Sequence, residues 1–302
     1  MTCAPIVLFV YNRLWHTQQT IESLQKNILS DRSELFIYSD APRNGSDLWS
    51  VNEVRNYIKT VNGFKKVSII EREKNWGLAN SIIDGVTNIV NEYGRVIVLE
   101  DDLVAAQHFL TYMNEALELY ANDNRVISVH GYVYPVEDKL PEAFFLPGAD
   151  CWGWATWRRG WELFNSNGKY LLDELIRTKS LRSFDFNGSY PYSKMLKGQI
   201  QGRNDSWAIR WYASAYLANK LTLYPGRSMV HNIGNDNSGT HCGESISHDT
   251  LLSKTPINLN NITVEVSQIG FSAFELFFRR LKQGLIYRLL RKFRLIIMAK
   301  VR

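Results

Sequence analysis

Glu100, Asp101 and Asp102 stand together at the end of the run Arg95-Val96-Ile97-Val98-Leu99, and three adjacent carboxylates leaving an apolar stretch are a chemical signal. Like charges at this spacing repel and raise one another's pKa unless a cation lies among them. Carboxylates suit hard divalent ions, and a Mg²⁺ or Mn²⁺ site commonly completes its shell with water and the phosphates of a nucleotide. The competing reading is a solvated acidic turn that leads into the helix beginning near Gln107. Position decides for the ligand site, because open α/β sheets bind ligands beyond the carboxyl ends of their strands. In an extended chain Glu100 and Asp102 would point to one side and Asp101 to the other.

Val96 to Leu99 lack alternation and read as a strand buried on both faces, as in a parallel sheet covered by helices. Ile6 to Val10, Leu35 to Tyr38 and Val67 to Ile70 read the same way. Between them lie helical segments: Thr17 to Leu29, with Ile21, Leu24 and Ile28 on one face, then Trp49 to Thr60 and Gly77 to Glu92. Three βα units before the acids predict an α/β fold with right-handed crossovers. His108 to Tyr120 follows as a helix and Val126 to Val129 as a strand. Trp154, Trp157 and Trp161, at i, i+3 and i+7, predict a core helix. No Pro-, Gly- or Ser-rich linker separates the halves, so the second half is expected to elaborate the same domain.

Composition narrows the classes. The 302 residues carry a net charge of +5, but residues 276–302 hold nine of the 35 basic residues and no acid. The remainder has 26 basic residues against 30 acids, which argues against a nucleic-acid binder. Three cysteines without paired spacing suit a reducing compartment. The N-terminus reads as carrying no signal peptide, and no stretch reaches the roughly 20 apolar residues of a membrane span.

Pro5 to Arg13, Asp40, the segment Arg72-Glu73-Lys74-Asn75-Trp76-Gly77-Leu78, and above all Val98-Leu99-Glu100-Asp101-Asp102-Leu103 resemble the nucleotide-binding half of GT-A glycosyltransferases. Their order and spacing are most similar to the N-acetylglucosaminyltransferase I group and to bacterial family 2-like enzymes. The resemblance implies a GT-A domain over residues 1–270. Residues 1–130 would bind the nucleotide sugar and 131–270 would supply acceptor binding and catalysis. It implies that Asp102 binds Mn²⁺ (or Mg²⁺), that Asp101 contacts ribose and donor sugar, and that Glu100 lies near the sugar hydroxyls. Arg13 and Asp40 match nucleotide contacts, and Glu73 stands where the eukaryotic enzyme has a histidine at the base. Asp205, beside Trp207, matches the general base that takes the proton from the acceptor hydroxyl; its other reading is a helix N-cap. Asp150 and Trp152 fall in an aromatic-rich loop beside the sugar. The polar segment Val230 to His241 corresponds to a loop over the diphosphate, with His231 or His241 as a further donor-side contact or metal ligand.

Residues 271–302 alternate aromatic or aliphatic positions (Phe274, Phe278, Leu281, Leu285, Leu289) with arginines. That pattern fits a basic amphipathic helix lying on an anionic membrane, with a docked helix as the alternative. The expectation is an inverting, metal-dependent transferase at the cytoplasmic membrane face. It would move sugar from a UDP-sugar to a saccharide acceptor, lipid-linked if the tail lies on the membrane, in bacterial surface polysaccharide synthesis. A sugar-phosphate nucleotidyltransferase is disfavoured by the lack of a Gly-rich basic loop after the first strand, and a catalytically silent scaffold is the remaining alternative.

Overall fold

A computed structural model describes residues 2–236 and 246–282. His241 and the tail beyond residue 282 lie outside the described residues. One sheet dominates. Four parallel strands lie in the order β3 (Lys66–Glu71), β2 (Glu34–Ser39), β1 (Ile6–Val10), β4 (Arg95–Glu100). The sheet continues through β8 (Trp154–Trp157), β6 (Val126–His130), β9 (Leu221–Pro225) and β7 (Ala143–Pro147). Of these only β8 and β7 run against the rest. The second half therefore extends the same, mostly parallel sheet.

Alternation explains why the strands read as continuous apolar runs. Ile97 and Leu99 of β4 enter one hydrophobic cluster, while Val96 and Val98 enter another. β1 behaves likewise, with Ile6, Leu8 and Val10 on one face and Val7 and Phe9 on the other. The first face is covered by α1 (Leu14–Gln25), α2 (Leu48–Ile58) and α4 (Phe109–Leu119), and the second by α3 (Leu78–Tyr93). The short α5 (Arg158–Trp161), then α6 (Gly168–Arg177), α7 (Leu181–Phe184), α8 (Tyr192–Ile200) and α9 (Trp207–Leu217), build up the second half. β5 (Leu103–Ala105) leaves the acidic turn and pairs antiparallel with β10 (Val230–Asn232) in a separate ribbon.

The tryptophan-rich segment corrects an expectation. Trp154 to Trp157 form a strand, and only the turn ending at Trp161 is helical. The helical spacing misled because a strand buried on both faces has no need to alternate. All three rings are nevertheless buried, and Trp154 stacks on Trp207 of α9 at 5.4 Å.

Residues 268–282 are helical, and the expected membrane-facing stripe begins inside the domain. Phe274 and Phe278 are each 1% exposed and pack against Tyr134, Phe186 and Tyr190. Phe278→Ala is expected to lower unfolding stability by about 3 kcal/mol, the usual cost of emptying a buried aromatic site. Urea denaturation of the full chain measures it, and a change below about 0.5 kcal/mol would mean that the helix does not contribute to the core.

Candidate active site

β1, β2, β3 and β4 all end on one edge, with Phe9 in register with Glu100 and Ser39 with Glu71. Each exit delivers polar residues there. The chain turns at Asp101 and Asp102 rather than staying extended, so the side chains do not alternate as expected. Two backbone acceptors pin this turn: Thr20 Oγ1 donates to the Asp101 carbonyl at 2.8 Å, and the Ile233 N–H to the Asp102 carbonyl at 2.9 Å.

Both carboxylates converge on Arg13. Its Nη2 donates to Asp101 Oδ1 and, at 2.7 Å, to Asp102 Oδ2; its Nε lies 3.4 Å from Asp101 Oδ2. The Arg13 carbonyl accepts from both the N–H and Oγ1 of Thr17, which fixes the start of α1 and hence the root of the side chain. Asp101 and Asp102 are only 6% and 9% exposed. Burial alone would lower the Arg13 pKa, but the two acids overcome it and raise the value. Burial, then the neighbouring carboxylates of Asp102 and Asp101, pushes Glu100 up to about 8. Asp101 is pushed up to about 6, mainly by burial and against the pull of Arg13.

A pH dependence follows. Above its unfolded pKa of 4.5, Glu100 still holds its proton when folded, so between pH 4.5 and about 8 the native state binds more protons than the unfolded chain. Stability contributed by Glu100 is therefore lost as pH rises through that window. Without metal or nucleotide, Glu100→Gln is expected to gain on the wild type from pH 5 to pH 8 by on the order of 1–3 kcal/mol. Denaturant titrations at both pH values check this, and a constant difference would contradict it.

Other exits serve the same edge. The Asp40 carboxylate accepts the N–H of Trp76 at 2.9 Å and of Gly77 at 2.8 Å, so it anchors the loop before α3. Arg55 binds the carbonyls of Asp40 at 3.3 Å and Arg72 at 2.8 Å, joining the ends of β2 and β3. Glu73 is exposed in that loop. Tyr11 donates to Asp47 at 2.7 Å near the end of β1.

The far side of the acids is closed by the segment leaving β10. Gly234 donates to Asn232 Oδ1 at 2.8 Å and rests directly on the ion pair. A Cβ there would collide with Asp102 Oδ2 and stand 3.1 Å from Arg13 Nη1. Asp236 lies 3.1 Å from His16 of α1, tying the segment to the opposite wall. His231 pairs with Val104, and its buried Nδ1 has no hydrogen-bond partner among the described residues. The glycine content of this segment was legible in the sequence; its seat on Asp102 was not, because it depends on pairing residues about 130 positions apart.

Among the described residues, no hydrogen bond or ion pair joins Asp150 or Trp152 to Arg13. Asp150 Oδ2 is 3.4 Å from the Tyr224 hydroxyl and Oδ1 is 3.9 Å from His130 Nε2, which accepts the Trp152 N–H at 3.0 Å. Trp152 packs edge-on to Tyr132 at 4.6 Å. Between them, Cys151 connects this aromatic patch to the acids. Burial, then the charges of Asp150, Glu100 and Asp102, hold its thiol well above the usual range. The alternative reading of Asp205 as the N-cap does not hold: Ser206 caps α9 by accepting the Ile209 N–H, because Asp205 falls one residue too early. Its carboxylate is 65% exposed and 3.6 Å from Arg210. Among the described residues, no hydrogen bond or ion pair joins it to the acids.

The model for "Glycosyl transferase family 2" matches residues 6–172, more than half of the chain and all of the acid-bearing strands. The chain belongs to glycosyl transferase family 2. Among solved structures, the family 2 chain is similar to S. aureus TarS 1–349, at 12% identity and a TM-score of 0.38, over 76% of this chain and 60% of that one. A longer S. aureus TarS structure gives the same identity and TM-score, and the match spans 36% of its length. No curated protein matches the chain in sequence.

The family 2 site accommodates a divalent ion on chemical grounds. Asp101 and Asp102 offer hard oxygens, and Mg²⁺-type ions are typically held by one or two carboxylates plus substrate phosphates. No set of three His, Cys, Asp or Glu groups converges among the described residues, so the protein alone does not supply a full cage.

Proposed function

We propose that this family 2 chain transfers a sugar, with inversion, from a nucleoside-diphosphate sugar, most readily a UDP-sugar, to a saccharide hydroxyl. The observation that carries this reading is Arg13 paired with Asp101 and Asp102 at the carboxyl edge of the parallel strands. An arginine and two carboxylates provide one partner for a diphosphate and two for a divalent ion. In the reaction an acceptor oxygen bonds to the anomeric carbon, the bond from that carbon to the diphosphate breaks, and the diphosphate departs with the electron pair. Arg13 would balance the charge that develops on the leaving oxygen. Asp205 would take the acceptor proton from its exposed position beside Arg210. A bound Mn²⁺ or Mg²⁺, held by Asp102, would supply further charge neutralisation at the diphosphate.

Asp40, Glu73 and Tyr11, at or beyond the exits of β1, β2 and β3, are proposed to border the nucleotide. Asp150 and Trp152 would border the transferred sugar. The basic residues from Arg279 onward are proposed to draw the enzyme to an anionic membrane surface on its cytoplasmic side, where a lipid-linked saccharide would be the acceptor.

The reading is tested by melting the full chain with a panel of nucleotide sugars, each with and without Mn²⁺. A ligand that binds the native state raises the midpoint by mass action. A rise with UDP-sugars that requires Mn²⁺, together with release of UDP on incubation, is the expected result. No shift and no release with any nucleotide sugar would overturn the proposal.

A further inference from the structure

Arg13 occupies one of the two Asp102 carboxylate oxygens open to a metal. Its Nη2 lies 2.7 Å from Asp102 Oδ2 and simultaneously binds Asp101. A divalent ion of the Mg²⁺ type binds carboxylate oxygen at about 2.1 Å. An ion on Oδ2 and an unmoved Nη2 would then be at most about 4.8 Å apart, two like charges in a largely buried site where screening is weak. Lateral relief is limited, because Gly234 packs against Asp102 on one side and Arg13 Nη1 on the other. No other lysine or arginine is ion-paired to these acids among the described residues. The guanidinium is therefore their resident counter-charge.

We infer that Arg13 is an exchangeable counter-ion: it holds Asp101 and Asp102 until a divalent ion arrives with a diphosphate, then passes from the carboxylate to the phosphate. This rests on the nucleotide-sugar reading given above. Guanidinium binds phosphate oxygens in the same two-pronged geometry as carboxylate, so the exchange replaces one charge-assisted pair with another. Metal alone offers Arg13 no new partner and must displace it unaided. Metal and nucleotide together do offer one. The site should bind Mn²⁺ weakly by itself and strongly only with nucleotide, which keeps the acids neutralised between turnovers.

Calorimetry on the full chain separates the two roles of Arg13, since they predict shifts of opposite sign. Mn²⁺ alone is titrated into the wild type, Arg13→Met and Arg13→Lys, and UDP is then titrated into each at saturating Mn²⁺. Mn²⁺ is expected to bind both variants roughly tenfold more tightly than the wild type, and UDP to bind Arg13→Met roughly tenfold more weakly, each the worth of one charge-assisted pair. Lysine keeps the charge but lacks the fork that bridges both acids. A gain for methionine without one for lysine would reduce the effect to net charge and overturn the exchange. Unchanged or weaker Mn²⁺ binding in both variants, or UDP affinity insensitive to Arg13, would overturn it as well. Melting curves confirm that each variant is folded, and if one is not, unchanged or weaker Mn²⁺ binding in the other still overturns the exchange. If the wild type fails to bind UDP at any Mn²⁺ concentration, the nucleotide-sugar reading itself falls and takes this inference with it. UDP binding without opposite shifts removes the inference alone.

Discussion

Asp102→Asn is expected to reduce sugar transfer by at least about 10³-fold while leaving the melting temperature within a few degrees of the wild type. The substitution preserves shape, removes one charge from the pair bound by Arg13, and takes away the anionic group proposed to hold a divalent ion. Its backbone role is untouched, since the Asp102 carbonyl still accepts the Ile233 N–H. Loss of turnover with an intact fold separates chemistry from architecture. Steady-state UDP release at saturating donor and metal makes the measurement. Activity within tenfold of the wild type would show that transfer does not depend on this carboxylate.

Gly234→Ala is expected to be nearly as damaging, for a steric reason. A methyl group there would overlap Asp102 Oδ2 and press on Arg13, so either the acid turn or the segment after β10 must shift. A displacement of about 1 Å near reacting groups is worth roughly 10² in rate, and overpacking a filled site costs about 1–3 kcal/mol of stability. Gly45, where an added Cβ would meet nothing within 4 Å, supplies the control. Gly45→Ala should leave rate and stability close to wild type. Equal behaviour of the two alanine variants in activity and urea assays would remove Gly234 from the site.

The first half of the chain was legible because its strands are buried on both faces and its helices present regular apolar stripes. Val96 to Leu99 divide between two hydrophobic clusters as a covered parallel strand must. The acids at its end were legible because three carboxylates after such a strand have no role in a core. Three things were not. Trp154 to Trp157 occupy a strand although their spacing also suits a helix, and local periodicity cannot separate the two when every position is buried. The cap of α9 moved from Asp205 to Ser206, a one-residue difference within the ordinary uncertainty of helix ends. Phe274 and Phe278 have the pattern of a membrane-facing stripe, and only their partners Tyr134, Phe186 and Tyr190, remote in sequence, reveal that protein covers them. For the tryptophans and the two phenylalanines the missing information was tertiary.

The position of β8 bears on how the chain can be divided. Arg95 to Val98 gain their second hydrogen-bonded neighbour from residues 154–157, which arrive after β5, α4, β6 and β7 have been traversed. A fragment ending near residue 130 would hold all three acids but would leave β4, with its apolar centre Val96 to Leu99, as a bare edge, the kind of surface that recruits other chains into a growing sheet. The half that carries the acids is thus not a separable module. Its solubility is on loan from a strand that belongs to the other half.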